Sequence, residues 1–479
     1  MNFVIPDVVP AIPEIFMLAM TCIVLLSGLF LQRRYPSLPY MLSLLALVGA
    51  VVLTVALYKH TTEITFHNSY IIDHIGSILK VTILGTCFFV FLYCRRYVAD
   101  RNILNTEFYV LCLFSVLGMM VLVSAYSFIS LYLGLEIFSL PLYALIALQR
   151  DAARSAEAAM KYFIMGAVAS GMLLYGLSMI YGATKSVDIA VVSQVLTSVP
   201  ASQNLILVFG LVFVVVGVAF KLGGAPFHMW VPDVYEGAPS AVTLFIATAP
   251  KIAAFAMAVR LLVDMMPLYQ VEWQHMLIVV ALVSMAIGNF VAIVQTNLKR
   301  MLAYSSIAHM GYMSLGLLSG NAQGYSAASF YIIVYTIMSL GAFGMVTILS
   351  GKGFEMETIN DYKGLNSRNP WLAFIMLLLM FSMAGVPPIA GFFAKLGVIE
   401  SLVEAHLVWL AVLALVFAII GAYYYLRVVK VMYFDAPEHQ SRIDTTSMDT
   451  RIAISANGLF ILVLGIFPGI IFNLCKAAF

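Results

Sequence analysis

Runs of about 20 mainly apolar residues follow one another along almost the whole chain, the length a helix needs to cross the hydrocarbon layer of a membrane. Fourteen spans can be read, at 10–32, 39–58, 74–94, 106–124, 127–149, 157–181, 203–230, 238–263, 275–296, 301–318, 326–349, 370–402, 407–433 and 452–474. In lipid a spanning segment must satisfy its own backbone donors and acceptors, which leaves helices or a closed barrel. These runs are unbroken rather than alternating, so a β-barrel is excluded. The chain is 63% hydrophobic and 10% charged, whereas a soluble domain is about half apolar and a quarter charged. The expected fold is an all-α polytopic membrane protein, one transmembrane domain over residues 1–479. The stretch 183–200 reads as a loop, with an interfacial turn as the alternative, and the longest polar connections are 351–369 and 434–451.

A net charge of +2 carries neither a nucleic-acid footprint nor an acidic tail. The five cysteines, Cys22, Cys87, Cys94, Cys112 and Cys475, lack metal-type spacing, so neither a disulfide framework nor a zinc or iron–sulfur site is expected. The first residues lack a basic segment, and no cleaved signal peptide is expected.

Lys and Arg sort by side. One side collects seventeen of the 25, among them Arg95, Arg96, Arg101, Arg150, Arg154, Lys161, Lys299, Arg300, Lys352, Arg427 and Arg442. The other holds Lys59, Lys185, Arg260 and Lys476. The positive-inside rule then puts both termini outside the cytoplasm, as an even number of spans requires.

Two spans are interrupted. Gly223, Gly224 and Pro226 follow Lys221 in span seven, and Gly385, Pro387, Pro388 and Gly391 precede Lys395 in span twelve. Proline removes a backbone donor and clashes with the preceding turn. Broken helices in corresponding places are the best sequence pointer to a transport site. They lie five spans apart, and an odd-numbered repeat reverses direction. The expectation is two inverted five-helix halves, spans 4–8 (106–263) and 9–13 (275–433), flanked by 1–94 and 452–479.

Four charged residues lie deep in apolar runs: Glu136, Lys221, Lys251 and Lys395. Each unpaired charge near a bilayer centre costs roughly 3 kcal/mol, so the four together cost on the order of 12 kcal/mol. Such groups usually face an internal cavity and mark a path for ions or protons. Burial disfavours a charged lysine and a nearby carboxylate favours it, so a Glu–Lys pair of changing separation can load and release a proton. Arginine, always charged, cannot. The competing reading is a static ion pair that fixes helix packing. Lys80, near the outer end of its span, is expected to snorkel to the surface.

Secondary candidates are weaker. His228 follows the first break and His309 lies in span ten; either can relay protons or simply hydrogen-bond in the packing. Glu157 and Lys161 have the i,i+4 spacing of a helical ion pair, with proton entry as the alternative. Lys299 and Arg300 read as topology-setting surface charges, and His60, His67 and His74 as loop histidines. With no dinucleotide fingerprint, Walker loop or cysteine cluster in the chain, any redox power source is expected on another subunit.

The segments GLEIFSLPLYAL, FKLGGAPFHMWVPDVYEGAPSAVTLFIATAPKIA, QTNLKRMLAYSSIAHMGY and AGVPPIAGFFAK resemble the antiporter-like membrane subunits of bacterial respiratory complex I, across essentially all fourteen spans. Within that family the subunit N branch is the nearest in likeness. Lys395 stands where the M branch has glutamate, the long lateral helix of the L branch does not follow span fourteen, and EAAMKYFIMGAVASG is N-like. The resemblance implies a proton-translocating subunit of NADH–quinone oxidoreductase in the bacterial inner membrane. Glu136 would modulate Lys221, Lys251 would pass the proton on, and Lys395 would exchange it at the far end. It implies no cofactor on this chain, with FMN, iron–sulfur clusters, NADH and a quinone such as ubiquinone on other subunits. The implied partners are other membrane subunits of the complex, with the peripheral redox arm engaged indirectly. The alternatives are the D-type subunit of a multisubunit sodium/proton antiporter, which shares PDVYEGAP, and a non-conducting structural membrane subunit.

Overall fold

The computed structural model describes residues 6–59, 61–101, 103, 105–149, 151–198, 204–437 and 447–479. His60, Arg150 and Arg442 lie outside the described residues. Three helices open the chain: α1 (Ile12–Leu31), α2 (Leu38–Ala56) and α3 (His74–Asp100). A hairpin of β1 (Glu63–Thr65) and β2 (Tyr70–Ile72) joins α2 to α3. Then come α4 (Asn105–Val123), α5 (Phe128–Ile146), α6 (Ala153–Thr184) and α7 (Ile189–Leu196), followed by α8 (Leu205–Leu222), α9 (Trp230–Gly237), α10 (Ser240–Ile246) and α11 (Ala249–Ala258). A π-helical turn, Val259–Asp264, extends α11. The next group is α12 (Gln270–Val294), α13 (Leu298–Leu318), α14 (Ala322–Leu349), the single turn α15 (Leu365–Arg368), α16 (Pro370–Ala384), α17 (Ala390–Glu404) and α18 (Val408–Phe434). The helices α19 (Met448–Ile466) and α20 (Gly469–Lys476) complete it.

Twelve helical segments among the described residues are long and apolar enough to cross a membrane. The other two expected spans fall on helix α13 and on the shorter broken pair α16–α17, which are not among the twelve. The most buried span is the one from Ser240 to Asp264, which forms the middle of the molecule with α14 beside it. Lipid-facing helices such as α1, α2 and α18 keep one face apolar and exposed, with Leu29, Val52 and Ile419 among the bare side chains. That is the surface a helix presents when its solvent is hydrocarbon.

Both expected breaks are present and built alike. Helix α8 ends at Gly223 (φ +76°) and α16 at Gly385 (φ +87°), each in the left-handed conformation that favours glycine at a helix C-terminus. A third interruption, not expected from the sequence, lies in the next span. The span 238–263 is cut at Ala247–Thr248, one residue before the Ala249–Pro250 start of α11, where Thr248 Oγ1 bonds the carbonyls of Leu244 and Phe245. Proline at the start of α11 needs no donor, and the hydroxyl occupies carbonyls the helix has released. Helix α18 runs unbroken, so this third break has no counterpart there. The segment expected to be a loop at 183–200 contains α7.

The charges gather at two ends of the bundle. At the basic end Arg300 bonds Asp233 and Glu236, Arg154 bonds Glu236, Lys161 bonds Asp233, and Arg427 bonds the carbonyls of Ile293 and Gln295. Lys299 is not a surface charge. It is 1% exposed, and its ammonium bonds Ala238 O (2.7 Å), Glu236 O (3.3 Å) and Glu357 (2.9 Å), clipping α13 to the end of α9 and to the 351–358 loop. At the opposite end Arg260, 3% exposed, holds Asp73 through two hydrogen bonds (2.7 and 2.9 Å) and Asp264 through one (2.9 Å). Nor does Lys80 snorkel. It is 4% exposed, pairs with buried Glu14 at 2.5 Å, and donates to Tyr70 Oη, which donates in turn to Glu14. A carboxylate within reach outweighed the short path to the surface, and Glu14 was the unread half of the pair.

Candidate functional site

The last four carbonyls of a helix have no partner within it, and at membrane depth something polar must take their place. At the second break Phe381 O accepts from the amides of Gly385 and Val386, and Ser382 O from Gly385. The remaining two, Met383 O and Ala384 O, accept from Lys395 Nζ at 3.0 and 2.9 Å. At the first break Ala219 O accepts from Gly224 N (2.7 Å) and Phe220 O from Trp230 Nε1 (3.0 Å), while Leu222 O accepts from Lys251 Nζ at 2.7 Å. Each broken helix therefore ends on a lysine ammonium, where the negative end of the helix dipole favours a positive charge.

The glycine at each break makes room for that ammonium. A Cβ on Gly223 would stand 2.9 Å from Lys251 Nζ, and one on Gly385 3.0 Å from Lys395 Cδ. Lys251 is 1% exposed and lies 5.2 Å from the Trp230 ring centre; Lys395 is half-buried and lies 5.3 Å from that of Tyr312. The ammonium at the first break thus comes from α11, not from the adjacent Lys221. The break is further pinned by Ser284 of α12, whose Oγ accepts from Ala225 N at 2.8 Å.

Lys221 points the other way, toward α5. It is 6% exposed, its Nζ donates to Ser139 Oγ at 2.9 Å, and it lies 5.4 Å from the Phe138 ring centre. Glu136 is three residues before Ser139 on α5, so the two share a face. Among the described residues Glu136 makes no ion pair within 4 Å, and its Oε1 is buried without a hydrogen-bond partner. It stands close enough for its charge to act on Lys221. Glu136 and Lys221 therefore do not form a closed pair, and the Lys221 ammonium is bonded to Ser139 instead.

His309 sits in a hydroxyl cluster between the two breaks. It is 2% exposed, with Nδ1 2.7 Å from Tyr331 Oη and Nε2 3.0 Å from Tyr425 Oη. Tyr425 also meets Ser305, and Tyr335 donates to Ser306 at 2.7 Å. The His309 ring lies edge-on to Tyr312, the ring under Lys395. Toward the first break Trp230 meets Tyr235 edge-on, and the Tyr235 hydroxyl is buried without a hydrogen-bond partner among the described residues. Polar side chains therefore cluster between the breaks, with Trp230 and Tyr235 near Lys251 and with Ser306, Tyr335, His309 and Tyr312 toward Lys395, but they do not form one unbroken chain of hydrogen bonds.

The other candidates stand apart from it. Glu157 and Lys161 form their i,i+4 pair at 2.9 Å, and Lys161 also reaches Asp233 at 2.7 Å. With Arg154, Glu236 and Arg300 they line a cavity of about 150 Å³ at the basic end. Burial alone would raise the Asp233 pKa, yet hydrogen bonds from Lys161 and Arg300 hold it below the ordinary carboxylate value. His228 lies on the segment between α8 and α9 with Nδ1 buried and unpartnered among the described residues. Ser139, Tyr235, Tyr331, Tyr335 and Tyr425 were missed from sequence. The available signal was spacing: Ser139 is three residues from Glu136, and Ser305, Ser306 and Tyr312 flank His309 at helical intervals.

Comparison with known proteins places this arrangement in a family. Residues 125–421 match the family described as NADH:quinone oxidoreductase/Mrp antiporter, TM. The NADH-quinone oxidoreductase subunit N of Coxiella burnetii is 57% identical over 479 residues, covering 99% of each chain. A chain in the structure of respiratory complex I from Thermus thermophilus with bound aureothin is 31% identical, with a TM-score of 0.83 over 98% of this chain and all of that one. A chain of the Mrp complex from Dietzia sp. has the same TM-score, 0.83, at 18% identity over 98% of this chain and 96% of its own, a likeness of fold alone. The chain belongs to the NADH-quinone oxidoreductase subunit N family of antiporter-like membrane proteins.

Proposed function

We propose that this chain translocates protons within a bacterial NADH–quinone oxidoreductase, using Glu136, Lys221, Lys251 and Lys395 as proton-carrying groups. The observation that carries the reading is the pair of lysine ammoniums lodged on the carbonyl ends of two broken helices, with polar side chains clustered between them. Lysine in such a place can give up a proton, since only carbonyl dipoles hold it there, whereas a paired lysine such as Lys80 cannot do so cheaply. Lys221 is biased by Glu136 from one side of Ser139. A small movement of α5 against α8 changes their separation and with it the lysine's affinity for a proton.

The energy comes from quinone reduction elsewhere, because moving one charge against 100 mV costs about 2.3 kcal/mol. FMN, iron–sulfur clusters, NADH and quinone are assigned to partner subunits, and this chain to translocation without a redox centre. The basic end is assigned to the cytoplasm and both termini to the periplasmic side of the inner membrane. The direct partners are other antiporter-like and small membrane subunits.

Lys221→Ala should suppress proton uptake per NADH oxidised in vesicles reconstituted with the whole complex, and wild-type pumping efficiency would overturn the role. The fold shared with the Mrp complex makes a secondary antiporter the rival. Purification through a tag on this chain separates the two: flavin and iron–sulfur subunits should accompany it, and their absence favours the antiporter.

A further inference from the structure

Helix α11 hangs between two cations. From Ala249 to Val263 the only side chains able to donate a hydrogen bond are Lys251 and Arg260, and the eight residues between them are apolar, four of them alanine. The N-terminus of α11 is cut from α10 at Ala247–Thr248, so no continuous helix fixes its rotation or depth from that side. Alanine gives a helix shallow ridges, which do little to lock it against its neighbours. One cation, Lys251, rests on Leu222 O at 2.7 Å. Arg260 stands nine residues further on, about 13 Å along the axis.

Arg260 ties α11 to two other helices. Nη1 and Nη2 grip the two oxygens of Asp73 at 2.7 and 2.9 Å, Nη1 also reaches Asp264 at 2.9 Å, and Nη2 donates to Val123 O at 3.2 Å. Asp73 caps α3 by accepting from Gly76 N at 2.9 Å, and Val123 O is a terminal carbonyl of α4. Gly76 keeps this corner open, because a Cβ there would stand 2.6 Å from Asp73 Oδ1. Arg260 lies in the π turn Val259–Asp264, where its carbonyl accepts from Met265 N at 3.2 Å. Such turns collect at functional sites.

The two anchors differ in what a proton can do to them. An ammonium can give up its proton and loosen its hold on Leu222 O, whereas a guanidinium stays charged. A planar guanidinium gripping a carboxylate with two parallel bonds is also the stiffer joint. When Lys251 lets go, Arg260 is the remaining polar hold on α11. It then decides where the amine stands and whether it returns to Leu222 O. We propose that Arg260 is a positioning residue for proton transfer, the fixed end from which α11 carries Lys251 on and off the first break. This role presupposes that Lys251 carries protons. A clamp that only fastened helices together would govern assembly and leave the placement of Lys251 alone.

Two substitutions loosen the clamp gently. Asp73→Asn keeps an oxygen to cap α3 and removes the charge that grips Arg260. Arg260→Lys keeps the cation and loses the two-pronged grip. Each is compared with the native complex, Lys251→Arg and Gly223→Ala in vesicles holding the whole complex. The measurements are NADH oxidation, protons moved per NADH and passive proton leak. A displacement of about 1 Å can slow a transfer on the order of a hundredfold. Each clamp variant should therefore remove about half or more of the protons per NADH that Lys251→Arg removes, with NADH oxidation within about twofold of native and the leak unchanged. Loosening the clamp and crowding the ammonium in Gly223→Ala act on one contact, so their combination should lose less than two independent effects would. If one clamp variant fails to assemble, the other decides. Native pumping in an assembled clamp variant, a combined loss equal to independent effects, or failure of both to assemble would overturn the role. Native pumping by Lys251→Arg is a separate result: it removes Lys251 as a carrier, and the positioning role falls with it.

Discussion

At the scale of single residues, the buried lysines divide by what holds them. Lys80 is held by a carboxylate and a phenol, Lys299 by a carboxylate and two carbonyls, Lys221 by a hydroxyl, and Lys251 and Lys395 by carbonyls alone. A formal counter-charge fixes the proton on the lysine, and a neutral dipole leaves it exchangeable. Lys80→Met should therefore destabilise the chain by about 3–5 kcal/mol, since it strands a buried carboxylate. Glu14→Gln combined with Lys80→Met should recover much of that, with pumping per NADH intact in both; thermal dissociation of the complex measures the first effect and vesicle acidification the second. For Lys251 the expectation reverses. Lys251→Arg keeps the charge on Leu222 O and should leave assembly near normal, but it should abolish pumping because guanidinium does not release its proton. Pumping by the arginine variant would make Lys251 a helix cap and nothing more.

At the scale of elements, a broken helix is a way to place a dipole end inside a membrane, and the glycine at the break decides what occupies it. Gly223→Ala meets two penalties: a left-handed φ that costs about 1–2 kcal/mol for any other residue, and a Cβ 2.8 Å from Val231 Cγ2 and 2.9 Å from the Lys251 ammonium. Gly353 supplies the control, with the same φ of +76° and open space around it. Gly223→Ala should impair pumping well beyond Gly353→Ala at similar local strain, and equal effects would remove the steric argument. The breaks at 223–226 and 385–388 were legible because glycine and proline announce themselves in an apolar run. The break at Ala247–Thr248 was not, because it depends on a threonine hydroxyl returning to its own helix, which a single Pro250 does not signal. Position along the chain likewise suggested Lys221 for the first break, although it is Lys251, from the next helix, that fills it. Which lysine reaches which carbonyl is a matter of helix rotation, and an apolar-rich span gives hydropathy no face by which to read it.

At the scale of the whole molecule, the helices around the first break meet those around the second through α12, α13 and α14, and the polar contact between the breaks is concentrated around His309. No charged side chain bridges Lys251 and Lys395 in this set; the intervening groups are an indole, phenols, hydroxyls and one imidazole. Of these only imidazole has an ordinary pKa near neutrality and can both accept and return a proton without a large energy gap. Phenols, with pKa near 10, can pass a proton only by exchanging hydrogen bonds. If the halves act as one conduit, His309→Ala should uncouple them. NADH oxidation and assembly should persist while protons moved per NADH fall, and Tyr335→Phe should show a smaller loss because Ser306 and Tyr235 remain beside it. If the halves work as separate channels, His309→Ala should leave the stoichiometry unchanged, whereas Lys221→Ala and Lys395→Met should each remove part of it. Measuring all three variants in the same vesicles decides between one conduit and two. The outcome rests on an imidazole that lies in the packing between the breaks, away from both helix ends.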